Sequence, residues 1–104
     1  MIISFIMITK DYILKTIKTH KPELIKLGVR QIGLFGSYSR EKHSSTSDID
    51  ILIDFEPGKE SFDNYMAVYD LIEELFKNHK VEVVTSNGLS PYIGRKILKE
   101  VIYA

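Results

Sequence analysis

Residues Gly33–Phe55 read GLFGSYSREKHSSTSDIDILIDF, and two features of this stretch decide how the rest of the chain is read. An apolar run ends on Gly36-Ser37, and ten residues later the next run opens with Asp48-Ile49-Asp50. Alternate residues of a strand share a face, so Asp48 and Asp50 point one way while Ile49, Ile51 and Ile53 point the other. At a rise of about 3.3 Å per residue, the two aspartates have Cα atoms roughly 6.6 Å apart. Like charges so close drive one another toward protonation unless a cation sits between them. A hard divalent ion with oxygen ligands, Mg²⁺ in most cells, is the natural compensator. Two such ions about 3.5–4 Å apart clamp the attacking and leaving oxygens of a phosphoryl displacement.

Gly36 and Ser37 supply the complementary half. A glycine at a strand end lets a phosphate come close to the backbone. A serine that opens a helix aims its N–H and hydroxyl at anionic oxygens. No Gly-Lys-Ser/Thr follows, which excludes a P-loop, and Gly33-x-x-Gly36 lacks the spacing of a dinucleotide fingerprint.

Outward from this stretch the chain alternates helices and strands. Thr9 is placed to cap a helix carrying Tyr12, Ile13, Leu14 and Ile17. Pro22 interrupts it, and Leu24, Ile25 and Leu27 continue helically to Gly28. Val29–Phe35 reads as a strand, Ser37–Glu41 as a short helix and Lys42–Ser47 as a polar loop. Asp48–Phe55 is the clearest strand. From Ser61, Phe62, Tyr65, Met66, Tyr69, Ile72 and Phe76 form a helical stripe that ends near Asn78. Val81–Thr85 is a third strand. Ser90-Pro91 opens a last helix with Ile93, Ile97, Leu98 and Val101 on one face. The expected fold is α/β, a small mixed sheet covered by helices.

A chain of 104 residues suits one domain, residues 1–104. Its 14 basic and 14 acidic side chains balance, so no global field marks a nucleic-acid binder. With no cysteine, disulfides and thiolate metal sites are excluded. The apolar start, residues 1–8, lacks the basic leader of a signal peptide and the length of a membrane span. It reads as a segment that packs on the domain or docks on a partner, and the cytoplasm is the default location.

Gly-Ser, ten residues, then Asp-x-Asp resembles the signature of the nucleotidyltransferase superfamily that includes DNA polymerase β. GLFGSYSR, SDIDILIDF and VEVVT look like its minimal nucleotidyltransferases, over nearly the whole chain from about Leu14. The resemblance implies the polymerase β palm-like fold. It implies that Asp48, Asp50 and a third carboxylate, Glu82 in VEVVT, hold Mg²⁺ (two ions) and carry catalysis. Gly36, Ser37 and Arg40 would then bind the phosphates of ATP. Where the family usually has glycine after this arginine, Glu41 stands. Asp54 reads as a surface or turn residue, and His20, His43 and His79 as solvent-facing. Tyr38 is left open between nucleotide and packing.

A domain this short has little surface for a second substrate-binding lobe, so a partner protein is expected to supply the acceptor. Minimal nucleotidyltransferases resemble antitoxins of two-component modules whose toxin is a helical HEPN ribonuclease. There AMP passes from ATP to a toxin tyrosine. The implied function is a Mg²⁺-dependent protein adenylyltransferase acting as an antitoxin on a HEPN-domain toxin. The alternative is a non-catalytic antitoxin that masks the toxin by stoichiometric binding, with the apolar start and the C-terminal VIYA as docking surfaces. A homo-oligomer stays open; a membrane or direct nucleic-acid role is not expected.

Overall fold

The computed structural model describes residues 8–104, so the apolar segment at residues 1–7 lies outside the described part. Ile8, the first described residue, is buried in the core. The elements run α1 (Lys10–Thr19), α2 (Lys21–Lys26), β1 (Val29–Phe35), α3 (Gly36–Ser39), β2 (Ile49–Phe55), α4 (Phe62–Leu75), β3 (Val81–Thr85), α5 (Pro91–Glu100) and β4 (Ile102–Tyr103). A single 3-10 turn, Ser86–Gly88, follows β3.

The caps expected from the sequence are made. Thr9, Ser61 and Ser90 each accept a backbone N–H three residues on, from Tyr12, Asn64 and Ile93. Each satisfies one of the donors that a helix start leaves open, worth about 1 kcal/mol. Pro22 and Pro91 sit in the first turns of α2 and α5, where a missing N–H costs nothing.

The sheet has the order β3-β2-β1-β4. β1 runs antiparallel to both β2 and β4, whereas β2 and β3 are parallel. Ile49, Ile51 and Ile53 are fully buried, with Ile32 and Leu34 of β1 and Val81 and Val83 of β3 beside them. Ile13 and Ile17 of α1, Leu24 of α2, and Val68 and Ile72 of α4 join the same cluster, together with Phe76 just past α4. Burying each such side chain contributes about 1.5–3 kcal/mol. The alternation read from DIDILIDF therefore sets which way β2 faces: isoleucines to the helices, aspartates away.

Three readings of apolar faces are corrected. Phe62 is 76 % exposed, and Val68, outside the stripe read on α4, is fully buried together with Ile72. On α5, Ile97 is buried, but Ile93 and Leu98 face solvent, because only a narrow edge of this helix meets the domain. The last helix also stops earlier. Glu100 ends α5, Val101 is extended, and Ile102–Tyr103 pair with β1 as an edge strand. Ile102–Tyr103 of VIYA thus form the edge of the sheet, and Ala104 donates its N–H to the Ile32 carbonyl at 3.0 Å. Among the described residues no helix is long and apolar enough to cross a membrane.

Candidate active site

Asp50 occupies the second position of β2, between two neighbouring strands. Its register partners are Phe35 on β1 and Glu82 on β3. Phe35 is the last residue before the Gly36-Ser37 turn, so hydrogen bonding across the sheet sets the turn and the two acids side by side. Asp48 lies just before β2 and is half-buried. Glu82 is exposed, on the opposite side of its strand from the buried Val81 and Val83.

The electrostatics follow from this crowding. Burial, then the charges of Glu82 and Asp48, a hydrogen bond with Glu82 and the charge of Glu100 push the Asp50 carboxyl up to about 6. Ionising a carboxyl so placed is costly, and a compensating cation would offset that cost. The donor set, oxygens alone, fits a hard divalent ion. Among the described residues, no three acidic, histidine or cysteine side chains are already gathered into a ligand cluster.

The turn itself is shaped by contact with Asp50. Gly36 has φ +77°, a conformation that side chains rarely adopt. A Cβ built there would stand 2.1 Å from Asp50 Oδ2. Only glycine brings the backbone this near the carboxylate. Ser39 Oγ and Arg40 N–H both donate to the Gly36 carbonyl, at 2.8 and 3.2 Å, and Lys42 N–H to the Ser37 carbonyl at 2.9 Å. Ser37 is half-buried at the start of α3, and Arg40 reaches outward from its end. The structure therefore brings Gly36, Asp48, Asp50 and Glu82 into one neighbourhood, with Ser37 and Arg40 on the turn beside them.

Glu41 explains the usual family glycine. It has φ +56°, the left-handed region, at the point where the chain leaves α3 for the loop. Its carboxylate meets Lys10 at 3.0 Å on the surface. Tyr38 packs: it is 1 % exposed, and burial raises its phenol pKa. His43 is not solvent-facing as the sequence suggested, because it stacks on Tyr38 with ring centroids 4.2 Å apart. Its buried Nδ1 has no hydrogen-bond partner. His20 bonds to the Thr16 carbonyl, and His79 is half-buried. Asp54 pairs with Arg30 across the β1/β2 ladder, a structural contact away from the turn.

One residue escaped the sequence reading. Glu100 Oε2 accepts the Gly36 N–H at 2.6 Å and lies 3.9 Å from Arg40 Nε. As the last residue of an amphipathic helix it carries no signal in the sequence. Only the pairing of β4 with β1 brings it here.

Residues 12–104 match the family profile described as Nucleotidyltransferase domain. This chain belongs to that family. Within it the similarity is to the minimal members: a solved structure of a candidate minimal nucleotidyltransferase superposes with TM-score 0.68 at 26% identity, covering 86% of this chain and 93% of the other. Protein adenylyltransferase MntA of Thermococcus cleftensis is 37% identical over 98 residues, 93% of this chain and 97% of its own. MJ0435 of Methanocaldococcus jannaschii, a candidate protein adenylyltransferase by name, is 42% identical over 81 residues, 78% of this chain and 85% of its own. A toxin–antitoxin structure with AMP-PNP shares the fold of this nucleotidyltransferase at TM-score 0.62 and 21% identity, over 92% of this chain and 72% of the other.

Proposed function

We propose that this nucleotidyltransferase moves AMP from ATP to a hydroxyl of a partner protein, a tyrosine of a HEPN-domain toxin, and so acts as the antitoxin of a pair. The observation that carries the reading is the adjacency of the Gly36-Ser37 turn to Asp50 and Glu82, set by strand register. The names of its relatives, protein adenylyltransferases, give the acceptor class.

In this reading Gly36 leaves room for the triphosphate, while Ser37 and Arg40 take its anionic oxygens. Asp48, Asp50 and Glu82 would hold Mg²⁺, which when bound offsets charge on the attacking and leaving oxygens. Oriented by these groups, the acceptor oxygen attacks the α-phosphorus in line. The bond from that phosphorus to the bridging oxygen breaks, and pyrophosphate leaves with the electron pair. The acceptor's proton passes to a carboxylate of the site or to water. Positioning and electrostatics supply most of the rate, as in other phosphoryl transfers.

The test is incubation with ATP labelled at the α-phosphate and a candidate HEPN toxin. Label is expected on the toxin and absent when Asp48→Asn and Asp50→Asn are combined. Labelling that persists in the double variant refutes the assignment of the two aspartates. Neutralisation that persists without labelling favours stoichiometric masking instead; exposed Tyr92, Ile93 and Leu98 of α5 offer it an apolar surface.

A further inference from the structure

Gly36 is gripped from two sides. Asp50 Oδ2 lies against its Cα, and Glu100 takes its N–H at 2.6 Å. The Glu100 side chain is only 15% exposed, so this is an enclosed contact rather than a surface coincidence. A hydrogen bond from a backbone N–H to an ionised carboxylate is among the stronger kinds.

Strand pairing delivers Glu100 to this position from 64 residues away. β4 pairs Gly33 with Tyr103 and Leu34 with Ile102. Extended Val101 joins β4 directly to Glu100, the last residue of α5, so this pairing holds the end of α5 beside the Gly36 turn. β4 is fixed in turn by close approach. A Cβ on Gly33 would come within 2.6 Å of Val101 Cγ2, and Lys21 Nζ donates to the Ala104 carbonyl at 2.9 Å. What the register of β4 achieves is to place one carboxylate under the turn.

We propose that Glu100 is a positioning residue: by accepting the Gly36 N–H it fixes the direction of the Gly36-Ser37 turn, and so aims Ser37 at the triphosphate. This rests on the nucleotide reading above. Glycine has more backbone freedom than any other residue, and Gly36, as the first residue of four-residue α3, has no acceptor for its N–H within the helix. An external acceptor removes that freedom before the nucleotide arrives. Binding then loses less entropy to ordering the loop.

The opposite role, an anion competing for the cradle, predicts the opposite sign. Calorimetric titration of the full chain with Mg²⁺ and AMP-PNP separates the two. Glu100→Ala is expected to weaken binding about tenfold, as one charge-assisted hydrogen bond would. Glu100→Gln keeps an acceptor oxygen and is expected to stay within about threefold of the parent. The amide proton of Gly36, followed by NMR without nucleotide, should move upfield in Glu100→Ala and much less in Glu100→Gln. Tighter or unchanged binding by Glu100→Ala overturns the proposal, as does equal weakening by both variants. If the parent chain does not bind AMP-PNP, the nucleotide reading fails. The Gly36 resonance then still decides: no shift in Glu100→Ala overturns the positioning role, and a shift reversed by Gln supports its structural half.

Discussion

Replacing Asp50 by asparagine should make the metal-free protein more stable while removing its response to magnesium. The Asp50 carboxyl is pushed from an ordinary 3.8 to about 6. Its native form therefore keeps a proton that the unfolded chain releases between pH 4 and 6. The sign follows: this group favours the fold most below pH 4, and that contribution is lost as pH rises through 6. Two pKa units amount to about 3 kcal/mol. Asp50 is only half-buried, and halving for solvent screening leaves about 1.5 kcal/mol. For a domain near this size that is on the order of 5–10 °C in Tm. Asparagine has nearly the same shape and carries no charge, so at pH 7.5 in EDTA the variant should melt higher by that amount. At pH 4 the two proteins should melt together. Added Mg²⁺ should raise the Tm of the parent at pH 7.5 and leave Asp50→Asn nearly unmoved. Differential scanning calorimetry at the two pH values measures all of this. A variant that melts lower at pH 7.5, or a difference that is the same at both pH values, refutes the picture of a partly buried carboxylate repelled by its acidic neighbours.

Further outcomes follow from the same geometry. Gly36→Ala puts a methyl group 2.1 Å from Asp50 Oδ2 at a φ of +77°; AMP-PNP binding should be lost, with a Tm drop of several degrees in the same sample. Glu41→Gly removes a left-handed side chain at the cost of one surface ion pair. Denaturant titration should find it more stable by up to about 1 kcal/mol. Ile51→Ala opens a cavity in the centre of the sheet and should cost about 2–5 kcal/mol in urea, since Ile51 is fully buried. Phe62→Ala, by contrast, removes a largely exposed ring and should change stability by less than about 0.5 kcal/mol.

Local chemistry decided much of this protein in advance. Period-two alternation fixed the two faces of β2. Serine and threonine before apolar runs marked three helix starts, and Gly-Ser at ten residues from Asp-x-Asp marked the turn and the aspartates that the fold sets side by side. These signals are legible because each arises within a few neighbouring residues. The amphipathic stripes were less dependable. Ile93 and Leu98 carry the right period on α5 yet face solvent, because periodicity says that a helix has an apolar side without saying how much of it the domain covers.

Long-range pairing decided the remainder. That Asp50 lies between Phe35 and Glu82 is a matter of register among three strands. That Glu100 reaches Gly36 depends on a two-residue edge strand, whose short sequence is also compatible with the end of a helix. The stack of His43 on Tyr38 likewise joins a loop to a turn that no spacing rule connects. Hydrogen bonds between distant segments depend on how the whole sheet assembles. The residues named the acids and the turn; only the assembled sheet could choose which carboxylate holds the turn in place.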